Sequence, residues 1–417
     1  MIFGSLKLFG SIFSESTHSS EATHFKIMAV QHLMETTGSL FEYLIHLGFV
    51  PQNIFLTGKV YSTHKPTVEK LKQLGINIFE STVPKELGTY GVCLEKDVKR
   101  MWDELGKQLK PNDEVVVLDD GGFALQNVPG SVLGNHKVYG IEQTKSGIRF
   151  ENTFSKMPVI NVAASAAKTL IEPAFVAEAV HRKLGNKIRD LNPASIGIVG
   201  LGHVGKAMAD DLGSKFALNV FDENKNMMKQ RLSGDIKFCK NIAELYEKSE
   251  LIVGATGNDI SNETWITKSS GSKILMSVSS GDIEFKSLLK LASKYLVEPF
   301  QSPLDDLKVR TPKGHRIIIL RGGMVSNFNG DADSSSSDSI QMTRALLYSA
   351  FLQIIRDKIK LNGGKGNIML APDFQMNVVN SWFELLPERK SLYSTKVVNG
   401  FREYDFVQKN SSGKLLT

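Results

Sequence analysis

Cysteine is almost missing. Cys93 and Cys239 are the only two, they lie far apart, and neither has a Cys or His at ligand spacing. That excludes a disulfide framework and a cysteine zinc site, leaves no metal expected, and points to a reducing, cytoplasmic setting. Long apolar runs are missing too. No stretch reaches the roughly 18 uninterrupted apolar residues of a membrane span, so no membrane partner is expected. The opening MIFGSLKLFGSIFS is apolar, but Lys7 and Gly10 interrupt it and no A-x-A site follows, so residues 1–24 read as a loose arm. Blocks of one charge are absent as well: 50 basic and 44 acidic residues are interspersed for a net charge of +6. Nothing there tracks a phosphate backbone, and nucleic acid is not expected as a partner. No internal repeat at a fixed period is found.

What is present is a chain of 417 residues, 41% of them hydrophobic, enough to bury the cores of two or three domains. From Phe25 helical and strand patterns alternate. Helices are expected at about Gln31–Leu47, Pro66–Leu74 and Leu94–Leu109, and strands at Ile54–Leu56, Ile76–Phe79 and Glu114–Leu118. This alternation favours a parallel sheet. The run at Glu114–Leu118 is continuously β-branched or apolar after its first residue, as in a strand buried on both faces, and it ends at Asp119, Asp120, Gly121 and Gly122. Ligands of such sheets sit beyond the carboxyl ends of strands, which makes the paired aspartates candidates for a site. A strand at Met157–Val162 and a helix over Ala163–Leu184, with Pro173 kinking or restarting it, come next. Further strands are expected at Leu251–Val253, Lys273–Ser277 and Arg316–Leu320. A Ser- and Asp-rich loop at Gly330–Ser339 then precedes a long helix to about Ile359.

Between these lies the most specific motif. Ser195–Val199 is a short apolar strand, Gly200, Gly202 and Gly205 form a G-x-G-x-x-G turn, Lys206–Leu212 opens a helix, and Ala217–Phe221 is a second strand ending at Asp222. The first glycine permits the tight turn, the second lets backbone approach a pyrophosphate, and the third lets helix and strand pack closely. Phosphate charge then meets a helix N-terminus. Asp222, 20 residues after Gly202, would accept from the adenosine ribose and repel a 2′-phosphate, so NAD is the expected cofactor rather than NADP. His203 and Val204 occupy the variable positions of the loop and line the cofactor without chemistry of their own.

Five segments, in order, carry a family likeness: LDDGG at 118–122, GIEQTKSG at 140–147, MPVINVAASAAK at 157–168, GIVGLGHVGKAMA at 197–209 and VGATGNDI at 253–260. Together with MAVQHLMETTGSLFEYL and YSTHKPTVEKLKQLGINIFE nearer the start, they make the chain resemble the S-adenosylhomocysteine hydrolase family from about Phe25 to Ile355. The resemblance implies a two-domain α/β fold in which a Rossmann NAD-binding domain (180–335) is inserted into an α/β substrate domain (25–175, with a returning part at 340–417). It implies tightly held NAD that oxidises a nucleoside hydroxyl transiently, permits thiol elimination and water addition, and returns the hydride. It also implies a small, nucleoside-like substrate, a role in one-carbon metabolism, and a homo-oligomer. By the same resemblance His32 would lie near the substrate ribose, Asp120 would be the second aspartate of the DDGG turn, and Lys168 would contact the oxidised hydroxyl. Glu172 replaces an aspartate of the family and stands four residues after Lys168 on a helix, so the two share a face and could hold one hydroxyl between them. Without that context the pair would read as a surface salt bridge. Thr256, Gly257 and Asn258 form the turn that borders NAD, and Asn327 would contact the nicotinamide amide.

Departures concentrate on the substrate side. Met34 and Thr36 stand at ribose- and adenine-contacting positions, Lys59 replaces an asparagine, Gln143 a glutamate and Pro173 an asparagine. Ser280 replaces a histidine, and the loop Gly330–Ser339 replaces a histidine-bearing gate. The ending NSSGKLLT lacks the family's terminal lysine and tyrosine. Three functions remain: an adenosylhomocysteinase-like enzyme using transient oxidation, a simple NAD-dependent dehydrogenase of the 2-hydroxyacid type, or a non-catalytic NAD-sensing or partner-binding relative. The dehydrogenase type commonly pairs an arginine with a histidine and an acid, and the linear sequence displays no such set.

Overall fold

A computed structural model describes residues 2–4, 6–13, 19–148, 155–229, 232–362 and 364–390. The chain divides into two compact units. The first takes residues up to Ser81, Glu95–Glu172, and the chain from Asp331 onward; the second takes Thr82–Leu94 and Pro173–Gly330. Both are doubly wound α/β units.

The first unit is built on seven parallel strands: β1 (Phe25–Val30), β2 (Ile54–Thr57), β3 (Asn77–Phe79), β4 (Glu114–Asp119), β5 (Lys137–Glu142), β6 (Pro158–Asn161) and the late strand β14 (Gly366–Met369). Their order is β14-β6-β5-β4-β1-β2-β3. Every residue of β1 and β4 is buried, which explains why Val115–Leu118 reads as an unbroken apolar run rather than an alternating one; β1, with Lys26 inside it, is not among the strands expected from the sequence. Winding reverses between β4 and β1, so the carboxyl ends of these two strands border the crevice where such sheets bind ligands.

The second unit has β7 (Ile196–Val199), β8 (Leu218–Phe221), β9 (Ile236–Phe238), β10 (Leu251–Gly254), β11 (Lys273–Ser277), β12 (Leu307–Arg310) and β13 (Arg316–Ile319), in the order β12-β13-β11-β10-β7-β8-β9. Only β12 runs antiparallel, on the edge. Successive side chains serve opposite faces: Ile252 joins one apolar cluster with Leu245 and Phe285, while Leu251 and Val253 join another with Ile196 and Ile198. Here the reversal falls between β7 and β10.

Several expectations need correction. The arm is not loose: Phe3, Leu6, Leu8, Phe9 and Phe13 are buried, helix Lys7–Phe13 packs on helices Ser337–Leu361 and Pro372–Leu385, and Leu8 N–H donates to Gln341 Oε1 at 3.0 Å. Aromatic contacts explain why, with Phe13 and Tyr348 rings 4.4 Å apart and Phe9 and Tyr43 rings 4.6 Å apart. The first long helix begins at Glu35, not Gln31, leaving Gln31–Met34 as a loop off β1. Residues 82–94, placed by the sequence reading with the substrate part, group with the second unit, where Leu87 enters its core and Tyr90 N–H donates to Asp282 Oδ2 at 3.1 Å. Helix Ala166–Leu191 continues through Pro173, and the chain passes from one unit to the other there. Residues 391–417, including the ending NSSGKLLT, lie outside the described residues. Among the described residues no helix is long and apolar enough to cross a membrane, and no group of three His, Cys, Asp or Glu is placed to hold a metal ion.

Candidate functional site

The glycine turn of the second unit follows β7 and leads into helix His203–Gly213. Gly200 has φ +93°, and a Cβ there would meet the Ala255 carbonyl at 2.8 Å. At Gly205 a Cβ would come within 1.8 Å of the Gly200 carbonyl oxygen, whereas at Gly202 it would meet nothing within 4 Å. The first and third glycines are thus required by packing, and the second leaves open the side from which a pyrophosphate approaches. Asp222 directly follows β8; its Oδ2 accepts from Leu201 N–H at 2.6 Å and its Oδ1 from Asn224 N–H at 2.7 Å, which ties the acid to the turn. Gly200, Gly202, Asp222, Thr256 and Asn258 line one cleft of about 230 Å³. Glu284 is fully buried and accepts from Thr256 N–H at 2.7 Å, Thr256 Oγ1 at 3.0 Å and Gly257 N–H at 2.5 Å, so it braces the turn whose Thr256 lines the cleft. Burial raises its pKa, and these donors pull the other way. Asn327 is 5% exposed and its Oδ1 has no hydrogen-bond partner among the described residues, an acceptor that suits an amide N–H of the kind nicotinamide carries. These residues fit NAD.

In the first unit a charged cluster occupies the reversal between β1 and β4. Asp120, fully buried just past β4, accepts from Lys59 Nζ at 2.5 Å and Gln143 Nε2 at 2.9 Å, and lies 3.2 Å from His32 Nε2. Burial alone would raise its pKa, but Lys59 and His32 outweigh burial and hold the carboxyl well below the usual range. Lys59 is raised in turn: burial opposes its charge and Asp120 overcomes it. His32 is lowered to about 4, chiefly by burial, with Asp120 opposing and Lys59 and Arg344 adding to the effect. At neutral pH the ring is therefore uncharged. Because the Asp120 carboxylate can only accept, Nε2 carries the proton and Nδ1, 2.5 Å from Ser62 Oγ, accepts from that hydroxyl. Lys168 Nζ donates to the Gln143 carbonyl at 2.6 Å and pairs with Glu172 Oε2 at 2.9 Å, while Thr343 Oγ1 donates to Glu172 Oε1 at 3.0 Å. Beneath them Asp119, register partner of Glu142 on β5, is pushed by burial to about 7.

Residues 195–286 match the family model described as the NAD binding domain of 6-phosphogluconate dehydrogenase. The second unit is an NAD-binding domain. Over 335 residues the chain is 29% identical to the uncharacterized proteins Rv0104 and MT0113 of Mycobacterium tuberculosis (strains H37Rv and CDC 1551 / Oshkosh), covering 78% of this chain. It spans 63% of the length of those relatives. Among solved structures, an oxidoreductase from Ralstonia solanacearum described as a D-3-phosphoglycerate dehydrogenase aligns at 12% identity and TM-score 0.41, over 81% of this chain and 96% of that one. The A chain of dipicolinate synthase from Bacillus subtilis aligns at 11% and TM-score 0.37, over 82% and 99%.

Of the residues singled out in the sequence, Gly200, Gly202, Asp222, Thr256 and Asn258 share the cleft; Gly205 supports it from within the turn, and His203 is exposed and Val204 half-buried on the helix that follows. His32 and Asp120 are brought into contact, and Lys168 with Glu172 is a largely buried pair, 8% and 21% exposed, not a surface one. Two departures prove to be partners of Asp120: Lys59 and Gln143 are its donors. Thr36 donates to Asp333 Oδ1 through Oγ1 at 2.7 Å, and Glu35 N–H donates to the Ala332 carbonyl at 2.9 Å, which fastens the Gly330–Ser339 loop to helix Glu35–Leu47. Sequence reasoning missed Ser62 and Arg344. It found no arginine beside a histidine and an acid, yet Arg344, on helix Ser337–Leu361, acts electrostatically on both His32 and Asp120. The set is assembled by folding, not by spacing.

Proposed function

We propose that the chain is an NAD-dependent oxidoreductase that oxidises a secondary hydroxyl of a polar small molecule and releases NADH. The observation that carries the reading is the union of His32, Asp120 and Lys59 at the switch point of one unit, in a chain whose other unit has a complete NAD motif. Bound NAD would accept the hydride from the carbinol carbon. The chain's own task is the proton: the hydroxyl must lose it as the hydride leaves. His32 is neutral, and its free lone pair, at Nδ1, faces Ser62, so the substrate's proton would pass to the Ser62 oxygen as Ser62 gives its own proton to Nδ1, and the imidazolium so formed would sit against the fixed charge of Asp120. Asp120 itself is a poor base, because its partners stabilise the anion and hold its affinity for a proton well below the usual carboxylate range. Lys168, ordered by Glu172 and the Gln143 carbonyl, would orient the same oxygen.

The second reading is transient oxidation of the adenosylhomocysteinase kind. It is supported by the gathering of His32, Asp120 and Lys168, the residues that the resemblance implies for that chemistry. Purified protein incubated with NAD and a panel of secondary alcohols, including adenosine and S-adenosylhomocysteine, separates the two. Lasting NADH absorbance with a given alcohol supports the dehydrogenase; absorbance that rises and returns to baseline with a nucleoside supports the transient cycle. NAD binding without either would sink both and leave a non-catalytic NAD-binding protein.

A further inference from the structure

Asp119 and Glu142 are fully buried and paired in register on the adjacent strands β4 and β5, so their side chains leave the same face of the sheet. Each has one oxygen satisfied and one orphaned. Asp119 Oδ2 accepts from Leu125 N–H at 2.8 Å, and Glu142 Oε1 accepts from Thr144 N–H at 2.7 Å, Thr144 Oγ1 at 2.9 Å and Gly121 N–H at 3.3 Å. Asp119 Oδ1 and Glu142 Oε2 have no hydrogen-bond partner among the described residues. Gly147 closes over Glu142 Oε2 so tightly that a Cβ there would collide with it. The cation that acts on Asp119, Lys59, is committed to Asp120. Of the other charged groups nearby, Asp120 repels both carboxyls, Arg344 on helix Ser337–Leu361 acts on Asp120, Lys168 on helix Ala166–Leu191 is engaged by the Gln143 carbonyl and Glu172, and Lys145 is exposed on the short helix after β5. Asn161, register partner of Glu142 on β6, is neutral. Two anions driven out of water side by side are costlier than one anion and one acid, and a single proton gives both orphaned oxygens a partner. Burial pushes Asp119 up to about 7, and burial and then Asp119 raise Glu142 well above the usual carboxylate range.

From this pair a run of hydroxyls leads outward. Thr144 Oγ1 is 2.9 Å from Glu142 Oε1 and 3.0 Å from Ser146 Oγ, and Thr144 and Ser146 are half-buried where Glu142 is fully buried. A hydroxyl both donates and accepts, so it can pass one proton on as it takes another. We propose that Asp119 and Glu142 hold one proton between them behind Asp120 and exchange it with solvent through Thr144 and Ser146, which keeps the net charge of the buried cluster constant while His32 is protonated. When Ser62 takes the substrate's proton and gives its own to His32, the cluster gains one positive charge. The carboxyl proton then passes to Thr144 Oγ1, Thr144's own to Ser146 Oγ and Ser146's own to water, and the second carboxylate balances the imidazolium. The chain runs backwards when His32 gives up its proton after the product leaves, so one proton is lost per turnover. In that role the pair acts through the charge on His32 and not on the reacting atoms. The inference rests on the oxidoreductase reading for the moment of release, and on the pair and its hydroxyls for the rest.

Infrared difference spectra of the full chain read the pair without turnover. At neutral pH the wild type should show a carboxylic-acid C=O band that is lost in Glu142→Gln and equally in Asp119→Asn, because the new amide N–H serves the oxygen opposite. Absence of the band overturns the shared proton, and so does its loss in one variant alone, which assigns the proton to that residue. Removal of the band by potassium or calcium chloride overturns it as well and makes the carboxylates a cation site. On dilution into heavy water the band should shift as the acid takes up deuterium, at least about 10-fold more slowly in Thr144→Val, which keeps the N–H to Glu142 and loses the relay. Equal rates overturn the outlet. With NAD and a secondary alcohol, proton release followed by a pH indicator should keep pace with NADH in the wild type and lag behind it in Thr144→Val; release in step in both removes the pair from the reaction. If no alcohol is oxidised while the band and its dependence on Thr144 are found, the proton pair stands and the oxidoreductase reading falls. Turnover without the band is the reverse.

Discussion

In the second unit the reversal between β7 and β10 is occupied by glycines, and what matters is the atoms they lack. In the first unit the equivalent reversal between β4 and β1 is crowded with side chains of both charges, driven almost completely out of water. Both obey the rule that ligands of open α/β sheets sit at switch points. They differ in where specificity resides. The glycine site is defined by backbone and tolerates changes of polarity nearby but not of volume. The charged site tolerates little change of charge, because each ion there is balanced by a particular neighbour. The two should therefore break under different substitutions.

The largest effect is expected at Asp120. Asp120→Asn keeps the shape and removes the charge that compensates buried Lys59, so stability should fall by about 3–5 kcal/mol in denaturant titration. Adding Lys59→Met should recover much of that loss, since the uncompensated cation is then gone. If Asp120→Asn alone were neutral, the cluster would not be the charge-balanced unit described above. The counterpart in the other unit is Gly205→Ala. Its Cβ would be driven against the Gly200 carbonyl, and the turn must open. NAD affinity should fall about 100-fold, roughly 2.7 kcal/mol, in calorimetric titration. Unaltered NAD affinity would mean that the turn does not hold the cofactor.

Of comparable size is a pH effect confined to the charged site. The folded pKa of His32, about 4, lies below the unfolded value near 6.5, so the unfolded state takes up a proton that the folded state refuses as pH falls through that window. Stability contributed by keeping the ring neutral is present above pH 6.5 and is lost progressively down to pH 4, about 3 kcal/mol in all. Asp119 runs the opposite way: its folded pKa near 7 lies above the ordinary carboxylate value, so its contribution is present at low pH and lost as pH rises to 7. The two partly cancel in the wild type, and the informative quantity is a difference. Wild-type stability minus that of His32→Gln should decline between pH 7 and pH 4; a flat difference would place the histidine in water.

The same contrast explains what could be read in advance. A site made of missing side chains is written locally, and Gly200, Gly202, Gly205 and Asp222 announce it by spacing. Strands buried on both faces were equally legible where they are uninterrupted, as at Glu114–Asp119. β5 was not, because Gly140 resembles a breaker; in the fold a Cβ there would strike Leu125 and Val159, so the glycine permits close packing of a strand. The start of the helix at Glu35 was misplaced because the apolar and polar residues of Gln31–Met34 fit a helical period, although Gln31 N–H donates to the Thr57 carbonyl. β14 consists of four residues and depends on pairing with β6, so no local signal marks it. Arg344 hid for another reason. One arginine in a mixed helix reads as a solvated charge, and only the packing of that helix reveals it as buried.

The smallest effect tests the one place where the backbone-defined site does depend on charge. Asp222 holds the turn through Leu201 N–H and Asn224 N–H, and it is also the acid expected to meet the adenosine ribose. Asp222→Asn leaves an acceptor for one of those donors and removes the charge that repels a 2′-phosphate. Stability should drop by about 1 kcal/mol, while the ratio of NAD to NADP affinity should fall about 10-fold, chiefly through tighter NADP binding. A fall in NAD affinity with no gain for NADP would assign Asp222 to the turn alone. The cofactor's discrimination would then have to come from Glu223, which lines the same cleft one residue further on.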